Sequence, residues 1–206
     1  MATLKLEDVC IGYGYPPSVE NVNGELHTGE WIHVYGSNGV GKSTLLKVLS
    51  TLKKPLSGTL YWNDDPLTGR VRDNYRDRLR YFGHERALFQ DLTVDENRSM
   101  YAGLFDLAGA SSSQLAGDVA GYRTVGRLSQ GEKQRVELSA LWPSNPTVLV
   151  MDEPFASLDQ ASRRTLNEFL GTARDDGCLV ITASPHRIDG PDRQWKLSSE
   201  GVEENP

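Results

Sequence analysis

The stretch "VYGSNGVGKSTLLKVL", residues 34–49, decides the fold. Gly36, Ser37, Asn38, Gly39, Val40, Gly41, Lys42 and Ser43 fit the pattern G-x-x-x-x-G-K-[ST]. Glycines let the backbone wrap closely around a phosphate, with its N–H groups turned inward. Leu45, Leu46, Leu49 and Leu52 recur at helical spacing just downstream, so a helix follows and points its positive end at the same anion. Lys42 adds a charge for the β- and γ-phosphates, and the Ser43 hydroxyl suits Mg²⁺. Thr44 completes the nucleotide-contacting set. Upstream, "WIHVYG" (31–36) reads as a strand, which supplies the strand–loop–helix context that the pattern requires.

Outward from this centre, strands and helices alternate. "TLKLEDVCIGY" (3–13) alternates apolar and polar residues as a strand does, and 16–30 holds turn signals around a short second strand. "KKPLSGTLYWND" (53–64) turns at Pro55 and Gly58 and then extends, residues 65–80 are rich in Arg and Asp, and "LRYFGH" (79–84) is a short strand. Residues 93–125 read as mostly helical, with an irregular segment at 108–121. "SQGEKQRVELSALW" (129–142) is a helix stopped by Pro143, and Ser129 with Glu132 forms a capping box at its start. "TVLVMDEP" (147–154) and "CLVITAS" (178–184) are continuous apolar runs, the mark of buried parallel strands. Between them 157–177 reads as a helix ended by Gly177. The polar tail from Ser198 is expected to fray. This alternation indicates an α/β fold, a parallel sheet with helices on both faces.

Composition narrows the partners. The chain has 206 residues with a net charge of −6, which argues against nucleic acid as the main partner. It contains no apolar run of about 18 residues, so direct membrane insertion is not expected. "MATLKLEDVC" lacks the basic start and apolar stretch of a signal peptide. Cys10 and Cys178 form no CxxC and read as buried thiols.

Two further stretches carry chemistry. "TVLVMDEP" sets Asp152 at the carboxyl end of a buried strand, the edge where α/β sheets bind ligands. Asp152 suits Mg²⁺, and Glu153 suits the general base that activates water. "RLSQGEKQRV" (127–136) adds a second capped helix start, with Ser129 and Gly131 in a position to meet an anion.

The whole arrangement resembles the nucleotide-binding subunits of ABC transporters. "LSQGE" is similar to that family's LSGGQ-type signature, "VLVMDEP" to its Walker B segment with the catalytic glutamate, and "SLD" (157–159) to its D-loop. The resemblance covers about residues 3–186. It implies a P-loop NTPase core of ABC type, with a mostly parallel sheet, a small antiparallel β subdomain and a short helical subdomain at about 84–128. The signature stands at the end of that subdomain, within a single ATPase domain spanning 1–206. It further implies a homodimer or heterodimer of ATPase subunits clamping ATP, with Ser129 and Gly131 acting on the nucleotide of the opposite subunit. Tyr13, or Tyr15, falls where the family stacks an aromatic ring on adenine.

Two departures stand out. His84 occupies the place of a family glutamine that reaches the metal, where an imidazole can ligate directly or accept from a metal-bound water. The family histidine that contacts the γ-phosphate falls on Ser184, Pro185 or His186, depending on the gap in "TASPHRID" (182–189). "GHERALFQDLTVDEN" and the short insert that follows it resemble the haem-exporter ATPases of cytochrome c maturation. The implied function is an ATP-hydrolysing motor on the cytoplasmic face of the inner membrane. It docks on a separate integral permease beside residues 84–105, where Phe82, Phe89, Tyr101 and Phe105 cluster. The rivals are the ATPase of another transporter, or a soluble ABC-type ATPase working on ribosomes or DNA repair complexes, and those usually carry two nucleotide domains or a long coiled-coil insert. A small-metabolite kinase would have no use for "LSQGE".

Overall fold

The computed structural model describes residues 1–83, 87–104, 119–141, 146–156 and 158–205. In chain order the described elements are β1 (Thr3–Ile11), β2 (Val19–His27), β3 (Trp31–Tyr35), α1 (Lys42–Leu49), β4 (Ser57–Trp62), β5 (Asp65–Pro66), α2 (Gly69–Asp77) and β6 (Leu79–Phe82). Then come α3 (Val94–Leu104), α4 (Gln130–Leu141), β7 (Val148–Asp152), α5 (Gln160–Asp175), β8 (Leu179–Ser184), β9 (Arg193–Ser198) and β10 (Gly201–Asn205). They fall into two compact units. Met1–Gly83, Thr147–Pro154 and Glu168–Pro206 form one, and His84–Pro146 with Phe155–Asn167 form the other.

The first unit holds two sheets. An antiparallel sheet has the order β2-β1-β4-β5. Strand β1 buries Leu4 and Leu6, then Val9 and Ile11. The change of parity is absorbed at Asp8, which has φ 49, and the pairing shifts register between Leu6 and Val9. The larger sheet has the order β10-β9-β3-β8-β7-β6. Within it β3 runs parallel to β8 and β9, and β7 runs parallel to β8 and β6. Every residue of β7 is buried.

Helix α1 joins the two sheets. Six of its eight residues are buried. Leu45, Leu46 and Leu49 share one core with Leu4 and Leu6 of the antiparallel sheet and with Val34, Val150 and Ile181 of the parallel one. Burial of each leucine contributes about 1.5–3 kcal/mol. The phosphate-binding loop is thus anchored at its back by the best-packed helix of the unit.

Two segments differ from expectation. Residues 65–80 contain α2, whose only buried residue is Tyr75. Val71, one turn before Tyr75, packs against the same core, but two apolar residues in so charged a run leave only a weak periodic signal. Tyr75 packs edge-on against Trp62 and donates its hydroxyl to the Leu49 carbonyl, 2.9 Å away, closing the end of α1. The tail does not fray: β9 and β10 form a hairpin that buries Trp195 and Leu197, and β9 pairs with β3. Its alternation, "RQWKLS", is short and hidden in polar composition.

In the second unit, α3 covers 94–104 and the chain from 119 to 128 is not α-helical: Thr124 bridges to Thr93, and 125–127 make one tight turn. The expected irregular segment at 108–121 lies largely outside the described residues. Thr93 and Glu96 form a reciprocal capping box that opens α3. Fully buried Asn97 bonds both the N–H and the carbonyl of Phe89. Helix α5 begins at Asp159, whose carboxylate accepts from the Ser162 N–H at 2.8 Å, and ends at Gly177 with φ 92. Ser157 lies outside the described residues.

Candidate nucleotide site

Strand β3 delivers the chain to Gly36. A Cβ there would stand 2.7 Å from the Leu197 carbonyl oxygen of β9, so the loop leaves the sheet only because this residue is glycine. Gly41, with φ 118, turns the chain into α1 and lies against Val19 and Ile11. No side chain caps α1 and no acid stands in its first turn. Its leading N–H groups are therefore left for an anion. Buried Lys42 donates to the carbonyls of Gly36 and Ser37, both at 2.9 Å, which draws its ammonium across the loop. Ser43 is exposed, and Thr44 is buried beneath it.

Strands β8 and β7 place the acids. Asp152 is the last residue of β7, in register with Ala183 of β8. It is buried, and its Oδ1 has no hydrogen-bond partner among the described residues. A buried carboxylate oxygen without a donor is costly unless a cation takes it. Among the described residues no three of His, Cys, Asp or Glu gather around a metal position. A single carboxylate plus a hydroxyl fits Mg²⁺, which keeps waters and uses phosphate oxygens for the remaining ligands.

Glu153 has φ 51 and donates its N–H to the Ala183 carbonyl at 2.9 Å. A left-handed glutamate costs about 1–3 kcal/mol, and such strain is retained where a side chain's aim matters. Tyr81 of β6 is pushed up to about 12 by burial, with the Asp152 carboxylate adding to the shift. Its hydroxyl is also buried without a partner among the described residues. Sequence reading missed Tyr81, because an aromatic in a strand looks like packing.

Tyr13 is 78% exposed, and the Lys53 ammonium sits 4.0 Å from its ring centroid. Tyr15 is exposed as well. Of the three positions left open after β8, Ser184 is the strand's last residue, in register with Tyr35. His186 is exposed, and its carbonyl rather than its ring receives the local hydrogen bonds. His84 lies outside the described residues.

The signature stretch belongs to the second unit. The capping box is reciprocal: the Ser129 N–H donates to Glu132 Oε2 at 2.7 Å, and the Glu132 N–H donates to Ser129 Oγ at 3.2 Å. Ser129 Oγ accepts in this bond, so its own hydrogen is free to donate outward. Arg123 bonds the other carboxylate oxygen of Glu132. These donors, led by the Ser129 N–H and followed by Arg123, hold the Glu132 carboxyl down at about 2. Arg123 left no signal in the sequence, since its partner is set by a turn. Of the aromatics expected at a docking groove, Phe82 and Tyr101 are buried and Phe105 lies outside the described residues. Phe89 remains half exposed.

Comparison with known proteins agrees with this geometry. The profile of a family described as "ABC transporter" matches residues 19–156. The chain is 36% identical over 194 residues to the cytochrome c biogenesis ATP-binding export protein CcmA of Albidiferax ferrireducens, covering 91% of each chain. It is 35% identical over 158 residues to the protein of the same name from Escherichia coli K12, covering 76% of each. Among solved structures, a dimeric post-hydrolysis ATP-binding cassette bound to ADP and Pi superposes with a TM-score of 0.82 at 24% identity, over 98% of this chain and 97% of that one.

Proposed function

The chain belongs to the ABC transporter family, as an ATPase subunit, and on that premise we propose that it drives an export step of cytochrome c biogenesis, with haem as cargo. The observation that carries the proposal is the 36% identity to a CcmA protein across 91% of both chains. No helix among the described residues is long and apolar enough to cross a membrane. The subunit works from the cytoplasmic face of the inner membrane, seated on a separate permease, a reading that the identity to an ATP-binding export protein supports. Phe89 is a contact for that permease, because its backbone is clamped by Asn97 while its ring stays half exposed.

Phosphoryl transfer to water needs positioning and charge neutralisation more than covalent chemistry. The loop from Gly36 to Thr44 cradles the phosphates, Lys42 faces the β- and γ-groups, and Tyr13 carries the adenine. Ser43 and Asp152 would hold Mg²⁺, His84 being the further ligand that the family resemblance implies, and the bound metal would offset charge building on the phosphate oxygens. Glu153 takes the proton of the attacking water. The turn Ser184–His186 meets the γ-phosphate, with His186 as its donor. Two subunits pair head to tail so that Ser129 and Gly131 of each close on the other's nucleotide; one gene product arranged with two-fold symmetry suffices.

Glu153→Gln tests the scheme. It keeps ATP binding, slows hydrolysis by at least about 100-fold and traps an ATP-dependent dimer visible in size-exclusion chromatography. A variant that stays monomeric in saturating Mg-ATP refutes the sandwich. Captured on native membranes with Mg-ATP, the same variant should carry down a polytopic permease together with cytochrome c maturation proteins. Recovery of ribosomal or DNA-bound proteins alone refutes the transport role.

A further inference from the structure

His33 is fully buried in the middle of β3, where an apolar residue is expected. It lies directly across from Thr182 of β8. Its Nδ1 is 2.9 Å from Thr182 Oγ1, and its Nε2 is 2.9 Å from the His186 carbonyl and 3.0 Å from Ser184 Oγ. The Trp31 indole N–H donates to Thr182 Oγ1 at 3.0 Å. These partners fix the direction of every bond. The His186 carbonyl only accepts, so Nε2 carries the hydrogen, Nδ1 accepts from the Thr182 hydroxyl, and the Thr182 lone pair receives the indole. A one-way relay thus runs from Trp31 through Thr182 and His33 to the carbonyl of His186. Burial pushes His33 down to about 4, so the ring is neutral and the relay keeps its sense at neutral pH.

The end of the relay is a turn held from several sides. Ser184 Oγ also donates to the His186 carbonyl, at 2.6 Å. The Arg187 guanidinium lies 5.8 Å from the Tyr35 ring centroid, and Gln194 donates to the Ile188 carbonyl at 3.2 Å. Strand β8 stands between β3, which runs into the phosphate loop, and β7, which ends in Asp152. The turn after β8 therefore leaves the sheet between the two halves of the site.

We propose that His33 is a positioning residue for ATP hydrolysis: from inside the sheet it fixes the Ser184–His186 turn against the γ-phosphate. This rests on the reading that the turn meets the nucleotide. His33 touches no reactant and acts by holding a backbone carbonyl, so it affects the chemical step rather than nucleotide capture.

The test compares the full-length wild type with His33→Leu, His33→Gln and His186→Ala, measuring ATP kcat, KM and thermal midpoint. Leucine removes all three ring contacts at similar volume, while glutamine restores a donor near the Nε2 position. The expected result is a kcat at least about tenfold lower in His33→Leu with KM within about twofold, and most of the loss recovered in His33→Gln. If His33→Leu fails to fold, Thr182→Val replaces it, since that change unhooks the ring from its orienting hydroxyl. A kcat loss with glutamine rescue supports positioning even if His186→Ala is unimpaired, and Ser184 then becomes the working residue of the turn. Impaired His186→Ala beside a His33→Leu of unchanged kcat overturns the positioning role and leaves the reading of the turn intact. Unchanged kcat in both overturns both. A His33→Leu whose kcat and KM worsen together with a lowered thermal midpoint, without rescue by glutamine, also overturns the proposal.

Discussion

Helix α1 starts at Gly41 with no side-chain cap and no acid in its first turn, whereas α4 starts behind a closed Ser129–Glu132 box with Arg123 bound to the acid. Both starts belong to motifs proposed to address phosphate. The first leaves its N–H groups unsatisfied, so the ligand itself completes the helix. The second satisfies the N–H groups of Ser129 and Glu132 with its own side chains and presents the Ser129 hydroxyl and the backbone at Gly131, along with the field of the helix. On the proposed function, one end holds a nucleotide and the other arrives ready-made to touch one. The uncapped start is supported from behind, since α1 is buried between two sheets. The capped start needs no such backing, because its geometry is local.

Lys42→Ala is the most severe way to break this contrast. The ammonium is the side-chain charge carried by the first turn of α1, so nucleotide binding by the single subunit weakens and hydrolysis falls at least about 100-fold. Titration with a fluorescent ATP analogue and a phosphate-release assay check both. Ser129→Ala strikes the closed start. It removes a cap, which costs about 1 kcal/mol, leaves ATP affinity of the single subunit unchanged, and abolishes ATP-driven pairing. Thr93→Ala is its comparator, because the same box at α3 has no place in the site. It also costs about 1 kcal/mol in chemical denaturation, yet pairing and turnover stay at wild-type levels. If the two variants behave alike, Ser129 is a cap and nothing more.

Glu132→Gln is the mildest change. The box keeps its acceptor and only the bond to Arg123 loses its charge, so turnover stays within about threefold and stability within a few tenths of a kcal/mol. Its pH signature is sharper. The folded carboxyl titrates at about 2 against 4.5 when unperturbed. Its contribution to stability is therefore fully present above about pH 4.5 and lost as pH falls towards 2. Acid unfolding monitored by circular dichroism between those values should be less steep in the variant.

The strands and helices that carry the site were legible because each is long, periodic or continuously apolar. The loop at 36–43, the run ending in Asp152 and the box at Ser129 each announce their role in a few adjacent residues. What stayed hidden depends on distant partners. Tyr81 reads as packing until β6 is laid beside β7, and His33 reads as an oddity until β8 brings Thr182 across from it. Helix α2 was hard to see because Tyr75 is its one fully buried side chain and Val71 is only partly covered. The hairpin of β9 and β10 was invisible because two buried side chains alternate with polar ones. The left-handed backbone of Glu153 has no sequence signature, since glutamate does not favour it.

Strand β3 pairs only with β8 and β9, which lie at 179–184 and 193–198. During synthesis the glycine loop at 36–43 is made long before β8, so its strand has nothing to pair with until residues 179–198 follow. Loop closure over that span is slow and comes late. A growing chain therefore carries its nucleotide motif without a nucleotide site. The order of the strands thus delays nucleotide capture until β8 and β9 have been made.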